Sequence, residues 1–459
     1  MSDYAQRKAR LLDALRSGRP ATGLAKRTSS NLFRYAVRGR RSGGLDLSGF
    51  NHCLALDGQA RTLEVEGLAT FEQIVDYALP RGFVPCITPE LKHITIGGAT
   101  VGIGIESNCF RYGFVHDSLL EAEVLLPDGR IVLATADNEH ADLFHGLPNS
   151  YGTLGYILRV KMRVMPAQPY VHLATRRFED LDAFLDAMRA ATERDDIDFV
   201  EGIFFDERRL YLTCSSFCAQ PPRVDDILRR NVFYKLIQAQ PEVYLTTKDY
   251  LFRYDPEWFW NIPDTFVFRV FRRLAPASLR NSGFYKRYTL WKHAVRERLG
   301  LPRDDSEEPL IQDWEVPWDQ AAGFTRFALR EVDLSGRPWI VTPIRTPRAP
   351  TLYPVRAAML YYNLGCYCQV RKPAGKPPYW YTRLMDGECF ARGGIKMLYS
   401  STFLSREEFD RLYNGAAYAG LKARYDPGGR AATLFDKAVH QPASQPLPPA
   451  PLPQPGQGG

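Results

Sequence analysis

The chain has 459 residues, 45% hydrophobic and 24% charged, which is ordinary for a soluble globular protein and long enough that two folded domains are expected. A net charge of +7 is modest at this length and does not imply nucleic acid, and the eight cysteines form no disulfide framework. The start, MSDYAQRKARLLDALRSG, lacks the apolar core of a secretory signal, and no apolar run reaches the ~18 to 20 residues that span a bilayer, so a cytoplasmic protein with at most peripheral membrane contact is expected.

Residues 4–16 set Ala5, Ala9, Leu12 and Leu15 among Arg and Lys and predict a short basic amphipathic helix. In the next stretch, LAKRTSSNLFRYAVRGRRSGG, Lys26, Arg27 and Arg34 accompany Thr28, Ser29, Ser30 and Asn31; it reads as a phosphate-facing turn or as a solvated basic loop. From Gly44, short alternating strands turn at Asp57-Gly58, with Leu63 and Val65 on one face and Glu64 and Glu66 on the other. Thr70 and Gln73 have capping-box spacing, and Phe71, Ile74, Val75, Ala78 and Leu79 recur at helical spacing until Pro80 stops them.

The segment TIGGATVGIGIESN, Thr95 to Asn108, follows this unit. Its glycines Gly97, Gly98, Gly102 and Gly104 allow backbone to lie directly against a ligand, and Thr95 and Ser107 add hydroxyl donors, so the first reading is a nucleotide-cofactor site. SLLEAEVLLPDGRIVLAT then predicts two strands around Asp128-Gly129. After NSYGTLGYI, Leu158, Val160, Met162 and Val164 alternate with Arg159, Lys161 and Arg163, closing an α+β domain near Pro166.

Beyond it, residues 177–191 predict a helix, 199–213 strand, and 227–299 form a long aromatic and basic region. Strands resume at RPWIVTPIR and AMLYYNLGCY, and a helix starts near Ser405 with Glu408 at capping-box spacing. The Pro-rich tail from Gln441 is expected to be disordered. Phe252 to Arg298 has three readings: packed core, an apolar substrate pocket or membrane-surface patch, and nucleic-acid stacking, for which no module motif is present.

Several chemistries find no support. GIGIES has Ser107 where a dinucleotide fingerprint needs a third glycine or alanine, and neither a phosphate loop nor a Gly-x-Ser-x-Gly elbow occurs. His140 and His145 fall on different helix faces, and Cys214 with Cys218, or Cys366 with Cys368, lacks a second ligand pair, so no metal is expected. Chemistry must then come largely from a bound cofactor.

The succession LDLSGFNHCLALD, ARTLEVEG, FEQIVDYALPRGFVPCI, TIGGATVGIGIES, HDSLLEAEVLLPDGR and ADLFHGLPNSYGTLGYI resembles the FAD-binding domain of the vanillyl-alcohol oxidase and p-cresol methylhydroxylase (PCMH-type) superfamily. Within it the chain is most similar to the delta(24)-sterol reductase branch, and the likeness continues through FVEGIFF, LIQDWEVP, KMLYSSTFLSREEFDRLYNG and LKARYDPGG, covering roughly residues 24–440. The resemblance implies an α+β fold with a PCMH-type FAD-binding domain at 1–170, a mixed α/β cap domain at 171–440 whose last part packs back on the first, and a disordered tail at 441–459.

It further implies that FAD is held by Thr95, Ile96, Gly97, Gly98, Ala99, Thr100, Val101, Gly102, Ile103, Gly104, Ile105, Glu106, Ser107 and Asn108, with Gly152, Gly155 and Ile157 in a second contacting turn. Ser29, Ser30 and Asn31 occupy the place of the pyrophosphate loop, whose usual glycines this chain lacks. No histidine precedes His52, so noncovalent FAD is expected. For catalysis the candidates are Tyr399, Lys396, Tyr361 and Glu106, phenols, an ammonium and a carboxyl able to move a proton or stabilise charge beside a flavin. Aromatic core on strands is the commoner role for each tyrosine alone, and Glu106 serves equally to bond backbone in a tight turn.

The activity implied is reduction of a carbon–carbon double bond in a sterol-like or isoprenoid lipid, with NADPH as donor and FAD as carrier. The alternatives are an FAD-dependent oxidase or dehydrogenase acting on an alcohol or lactone, and a flavin- or lipid-binding scaffold without turnover. The apolar N-terminal anchor of eukaryotic relatives has no counterpart here, so the expectation is a cytoplasmic enzyme, soluble or loosely membrane-associated.

Overall fold

A computed structural model describes residues 3–16, 23–25, 45–228, 232–260, 265–276, 279–300 and 306–439. Ser29, Ser30 and Asn31, and the tail from Gln441, lie outside the described residues.

The first half contains α1 (Asp3–Arg16), β1 (Leu24–Ala25), β2 (Leu45–Asp46), β3 (Cys53–Asp57), β4 (Thr62–Glu66), α2 (Phe71–Ala78), β5 (Phe83–Pro85), α3 (Ile96–Val101), α4 (Cys109–Tyr112), β6 (Leu119–Leu125), β7 (Ile131–Thr135), α5 (Ala141–Gly146) and β8 (Tyr156–Pro166). Its antiparallel sheet runs β3-β4-β8-β6-β7, with β5 also on β8. The alternation read from 158 to 164 makes β8 the spine of this sheet. Val160 and Met162 are buried, while Arg159 faces Glu64 at 2.9 Å and Glu121 and Glu123 at 3.5 Å across the neighbouring strands. Glu66 is fully buried beneath α1, where it pairs with Arg7 and accepts the His52 N–H at 2.9 Å. The basic face of the first helix thus docks on a carboxylate of β4.

The second half adds β9 (Tyr170–Phe178), α6 (Leu181–Thr192), β10 (Phe199–Asp206), β11 (Arg209–Cys218), α7 (Phe233–Ala239), β12 (Glu242–Thr246), α8 (Thr247–Leu251), α9 (Phe266–Leu274), α10 (Ser282–Arg298), β13 (Glu307–Pro317), α11 (Ala321–Glu331), β14 (Trp339–Ile344), β15 (Tyr361–Arg371), α12 (Trp380–Ala391), β16 (Ile395–Lys396), α13 (Arg406–Leu412), α14 (Gly415–Tyr425) and α15 (Leu434–Ala438). Eight antiparallel strands run in the order β12-β9-β11-β10-β14-β15-β13-β16. Edge strand β12 falls inside the region whose aromatic and basic composition masked it.

One face of this sheet is covered by α6, α11 and α12. Gly202 approaches Phe184 and Met188 of α6, Tyr362 meets Thr325 of α11 at 2.7 Å, and the Trp314 indole donates to Asp386 of α12 at 2.8 Å. Because side chains alternate along a strand, Glu201, Asp313, Glu315, Asn363 and Tyr367 share the other face. The closing helices return to the first half: Tyr418 donates to Thr153 at 3.0 Å, and Arg424 and Tyr425 bind Asp142 of α5 at 2.8 and 2.5 Å.

Gly67 controls where α3 begins. Its N–H donates to Leu158, its carbonyl accepts the Gly97 N–H at 2.8 Å, and a Cβ there would lie 2.0 Å from the Ile157 carbonyl oxygen. Gly67→Ala should destabilise the protein by about 3 kcal/mol or more, since the obstacle is backbone that cannot rotate away. Chemical denaturation measures this, and a loss below about 0.5 kcal/mol would contradict the packing described.

Candidate functional site

Thr95 adopts extended backbone and its Oγ1 accepts the Gly98 N–H at 3.2 Å, which starts α3; the helix ends when Gly102 returns to extended backbone. The carbonyls of Val101 and Gly102 accept the N–H groups of Tyr151 at 2.7 Å and Asn149 at 3.2 Å. The glycine-rich segment and the turn before β8 are therefore one bonded unit. Asn149, Tyr151 and Gly152 all have positive φ in that turn, and Gly155 approaches the Leu125 carbonyl so closely that a Cβ would lie 2.7 Å from it.

The four glycines divide by what surrounds them. A Cβ on Gly97 would meet the Gly67 carbonyl at 2.6 Å, and one on Gly104 would meet Val115 at 2.7 Å, so both serve packing within the protein. Among the described residues a Cβ on Gly98 would meet only Thr95 Oγ1, at 3.0 Å, and on Gly102 only the Gly98 oxygen at 3.0 Å and the Tyr151 ring at 4.0 Å. In the segment, the loop before it and the turn bonded to it, Thr88 Oγ1, Thr100 Oγ1, Asn108 Oδ1 and Asn149 Oδ1 are buried with no hydrogen-bond partner among the described residues. Buried polar atoms in a folded protein have partners, so these four fit a polar ligand lying along the segment.

A buried charge cluster ties this segment to the second sheet. Arg253 donates to both Glu106 oxygens, at 2.8 and 3.2 Å, and to both Glu201 oxygens, at 2.9 and 3.0 Å, while Tyr254 donates to Glu201 at 3.0 Å. The Ser107 N–H and hydroxyl both donate to Glu106 Oε1 at 2.6 Å, and the Val200 N–H donates to the Ser107 carbonyl at 2.8 Å. Burial raises the Glu201 carboxyl, against the pull of Arg253; burial and the nearby Glu106 raise Glu90 well above its ordinary value. Glu106, a proton-transfer candidate in sequence, has both oxygens engaged by Arg253.

The face of β13 and β15 turned away from α11 and α12 holds the other polar group, and it is buried. Tyr367 and Tyr399 both donate to Asp313 Oδ2 at 2.7 Å, and Phe259 stacks on Tyr367 with ring centres 4.2 Å apart. Gly365 stands opposite Asp313 in the register, and a Cβ there would lie 2.7 Å from the carboxylate. Two residues along, Glu315 accepts from Tyr353 and, at 2.8 Å, from Asn363. Burial pushes Asp313 up to about 6 against the pull of its two phenols; burial and then the Asp313 charge push Glu315 up to about 8. Both phenols on Asp313 are held well above the ordinary tyrosine value, by burial first and by the carboxylate next, so they remain donors.

Of the four catalytic candidates, only Tyr399 joins this group. Lys396 points to the helix-covered face, fully buried, donating to Asp386 at 2.8 Å and to the Ser401 carbonyl at 2.7 Å. The Tyr361 hydroxyl, at the far end of β15, accepts the Arg356 N–H at 3.0 Å. Asp313, Glu315, Tyr353, Tyr367, Arg253 and Glu201 were not singled out. One signal was available: Asp313 and Glu315, two apart in LIQDWEVP, put two carboxyls on one face of a strand.

An FAD binding domain matches residues 9–135, a span that includes the whole glycine-rich segment and ends with β7. The chain is 27% identical to human delta(24)-sterol reductase over 403 residues, covering 84% of this chain and 75% of that protein. It is 24% identical to the delta(24)-sterol reductase of Arabidopsis thaliana over 442 residues, covering 86% and 76%. An FAD-linked oxidoreductase, azaL, of Aspergillus niger matches 129 residues at 31% identity, 27% of this chain and 25% of that protein. The open sides of Gly98 and Gly102 and the unpaired buried polar atoms of the segment and its bonded turn fit FAD.

Two measurements follow. Gly98→Leu should lower the ratio of bound flavin absorbance to protein by about tenfold or more, because among the described residues a Cβ there meets only Thr95 Oγ1 and the rest of the side chain extends to the open side of the segment; undiminished flavin would mean Gly98 serves only the helix start. Glu315 is raised in the folded chain above its unfolded value of about 4.3, so its stabilising contribution is full below that pH and is lost as pH rises through about 8. Thermal midpoints from pH 6 to 9 should fall less in Glu315→Gln than in the natural chain, and parallel falls would remove Glu315 as the cause.

Proposed function

We propose that this FAD-dependent oxidoreductase, a relative of the delta(24)-sterol reductases with a PCMH-type FAD-binding domain, reduces a carbon–carbon double bond of a sterol-like or isoprenoid lipid with electrons from NADPH. Thr95 to Asn108 and the turn containing Gly152, Gly155 and Ile157 would hold FAD noncovalently. When bound, FAD supplies hydride-transfer chemistry. Such a lipid is taken from a membrane, so a soluble or loosely membrane-associated cytoplasmic enzyme belongs to the same reading.

The observation that carries the proposal is the Asp313, Tyr367 and Tyr399 group on the sheet face that also presents Glu201 to the Arg253 cluster. Saturating a double bond requires a proton on the carbon opposite the one that receives hydride. Tyr399 supplies it and recovers a proton from the Asp313 carboxyl it is bonded to. A carboxyl held at about 6 suits such a relay near neutral pH. Phe259 over Tyr367 supplies an apolar wall beside the group. Lys396 is a structural cation that fixes α12 to the back of the sheet, and Tyr361 orients the chain before β15.

One observation favours a second reading. Asp313 accepts two phenols on a single oxygen, which suits its ionised form, and as a base it would take a proton from an alcohol or lactone-forming hydroxyl in an oxidase or dehydrogenase. Anaerobic mixing of the purified flavoprotein separates these readings: bleaching by NADPH and recovery on adding a sterol-like olefin supports reduction, bleaching by an alcohol supports oxidation, and no bleaching leaves a scaffold. Tyr399→Phe and Asp313→Asn should each lower olefin reduction about 10²- to 10⁴-fold while bleaching by NADPH keeps its rate. Full turnover in both variants would exclude the group as the proton source.

A further inference from the structure

Exposed large hydrophobic side chains are concentrated on one pair of helices. Phe266, Val267, Val270 and Leu274 of α9, and Tyr288 and Trp291 of α10 with Leu299 just after it, are exposed; elsewhere among the described residues only Leu133 and Val224 are. The pattern on α9 is ordered. Phe268, Phe271 and Arg272, at helical spacing, are half-buried against the protein, and Phe271 stacks on Phe284 of α10. The opposite side carries Phe266, Val267, Val270 and Leu274, bordered by Arg269 and Arg273, and no residue of α9 is buried. On α10, Tyr288, Trp291 and Val295 continue to Leu299 as a second stripe, bordered by Arg287 and Arg298 on one side and Lys292 and Arg296 on the other.

Residues 266–299 contain nine Arg or Lys against the single acid Glu297, so this segment holds all of the chain's net positive charge. No helix among the described residues is long and apolar enough to cross a membrane. We infer that α9 and α10 form an in-plane docking face for an anionic lipid bilayer, with the apolar stripes seated at the headgroup boundary and the bordering cations on lipid phosphates. A second copy of the chain is a poor occupant, because a two-fold contact would bring the same basic border against itself.

The inner side of α9 connects to the proposed chemistry through a chain of aromatic contacts. Phe268 of α9 and Trp260 line one small cavity, Trp260 packs on Phe259 at 6.0 Å, and Phe259 stacks on Tyr367. The inference does not rest on the reductase reading, since an oxidase could carry the same face.

Flotation of the full-length protein with phosphatidylcholine vesicles, with and without phosphatidylglycerol, tests it. The protein should float with the anionic vesicles, and raising salt from about 0.1 to 1 M should release most of it. The Val270→Asp, Leu274→Asp double variant should bind about tenfold less or worse while keeping its flavin content and thermal midpoint. Absence of flotation, equal flotation with neutral vesicles, or undiminished binding of the variant would overturn the inference. So would a dimer in sedimentation that the variant converts to monomer. Turnover of a detergent-dispersed substrate does not need the face, so failure here leaves the reductase reading intact.

Discussion

Arg253 is where the two halves of the molecule are held to one geometry. Its guanidinium is buried, as are the two carboxylates it binds, and Glu106 belongs to the glycine-rich segment while Glu201 belongs to the second sheet. Burying three charges costs several kcal/mol each in desolvation, recovered only when every donor and acceptor is satisfied. Here they are: four guanidinium bonds to carboxylate, two bonds from Ser107, one from Tyr254, and the Tyr250 ring 4.5 Å from the guanidinium carbon. Removing one member of such a cluster strands a buried charge and costs about 3–5 kcal/mol. The contact therefore admits one arrangement of segment and sheet.

That constraint gives the remaining polar groups their meaning. Glu201 shares its sheet face with Asp313, Glu315, Asn363 and Tyr367, so fixing Glu201 against Glu106 turns this face toward the first half. The other face is closed by α6, α11 and α12, which accounts for Lys396 being spent on Asp386. Small residues complete the placement. Gly67 and Gly97 let α3 lie on the end of β4, and Gly365 leaves room for the Asp313 carboxylate.

Much of the first half was legible in sequence because its signals are local. The Thr70 capping box, the alternation along β8 and the turns at Asp57-Gly58 and Asp128-Gly129 each depend on neighbours in the chain, and each appears in the structure. The capping box at Ser405 is likewise present. Glu66 shows the limit: alternation places it beside Glu64 correctly, but only the docking of α1 buries it. Arg253 was invisible for a related reason. It is one cation in a long basic and aromatic region, and nothing nearby in sequence says that it meets Glu106 and Glu201, residues 147 and 52 positions away. Tyr399 and Lys396 are three residues apart, yet which of them faces Asp313 depends on β16 pairing with β13.

The central claim is that FAD lies between the glycine-rich segment and the polar face of the second sheet. A crystal structure of the purified flavoprotein tests it most directly. The flavin ring should contact the backbone at Gly98 or Gly102 on one side and lie within reach of Tyr399 or Tyr367 on the other. A ring bound elsewhere, or turned toward the helix-covered face with Lys396, would contradict it.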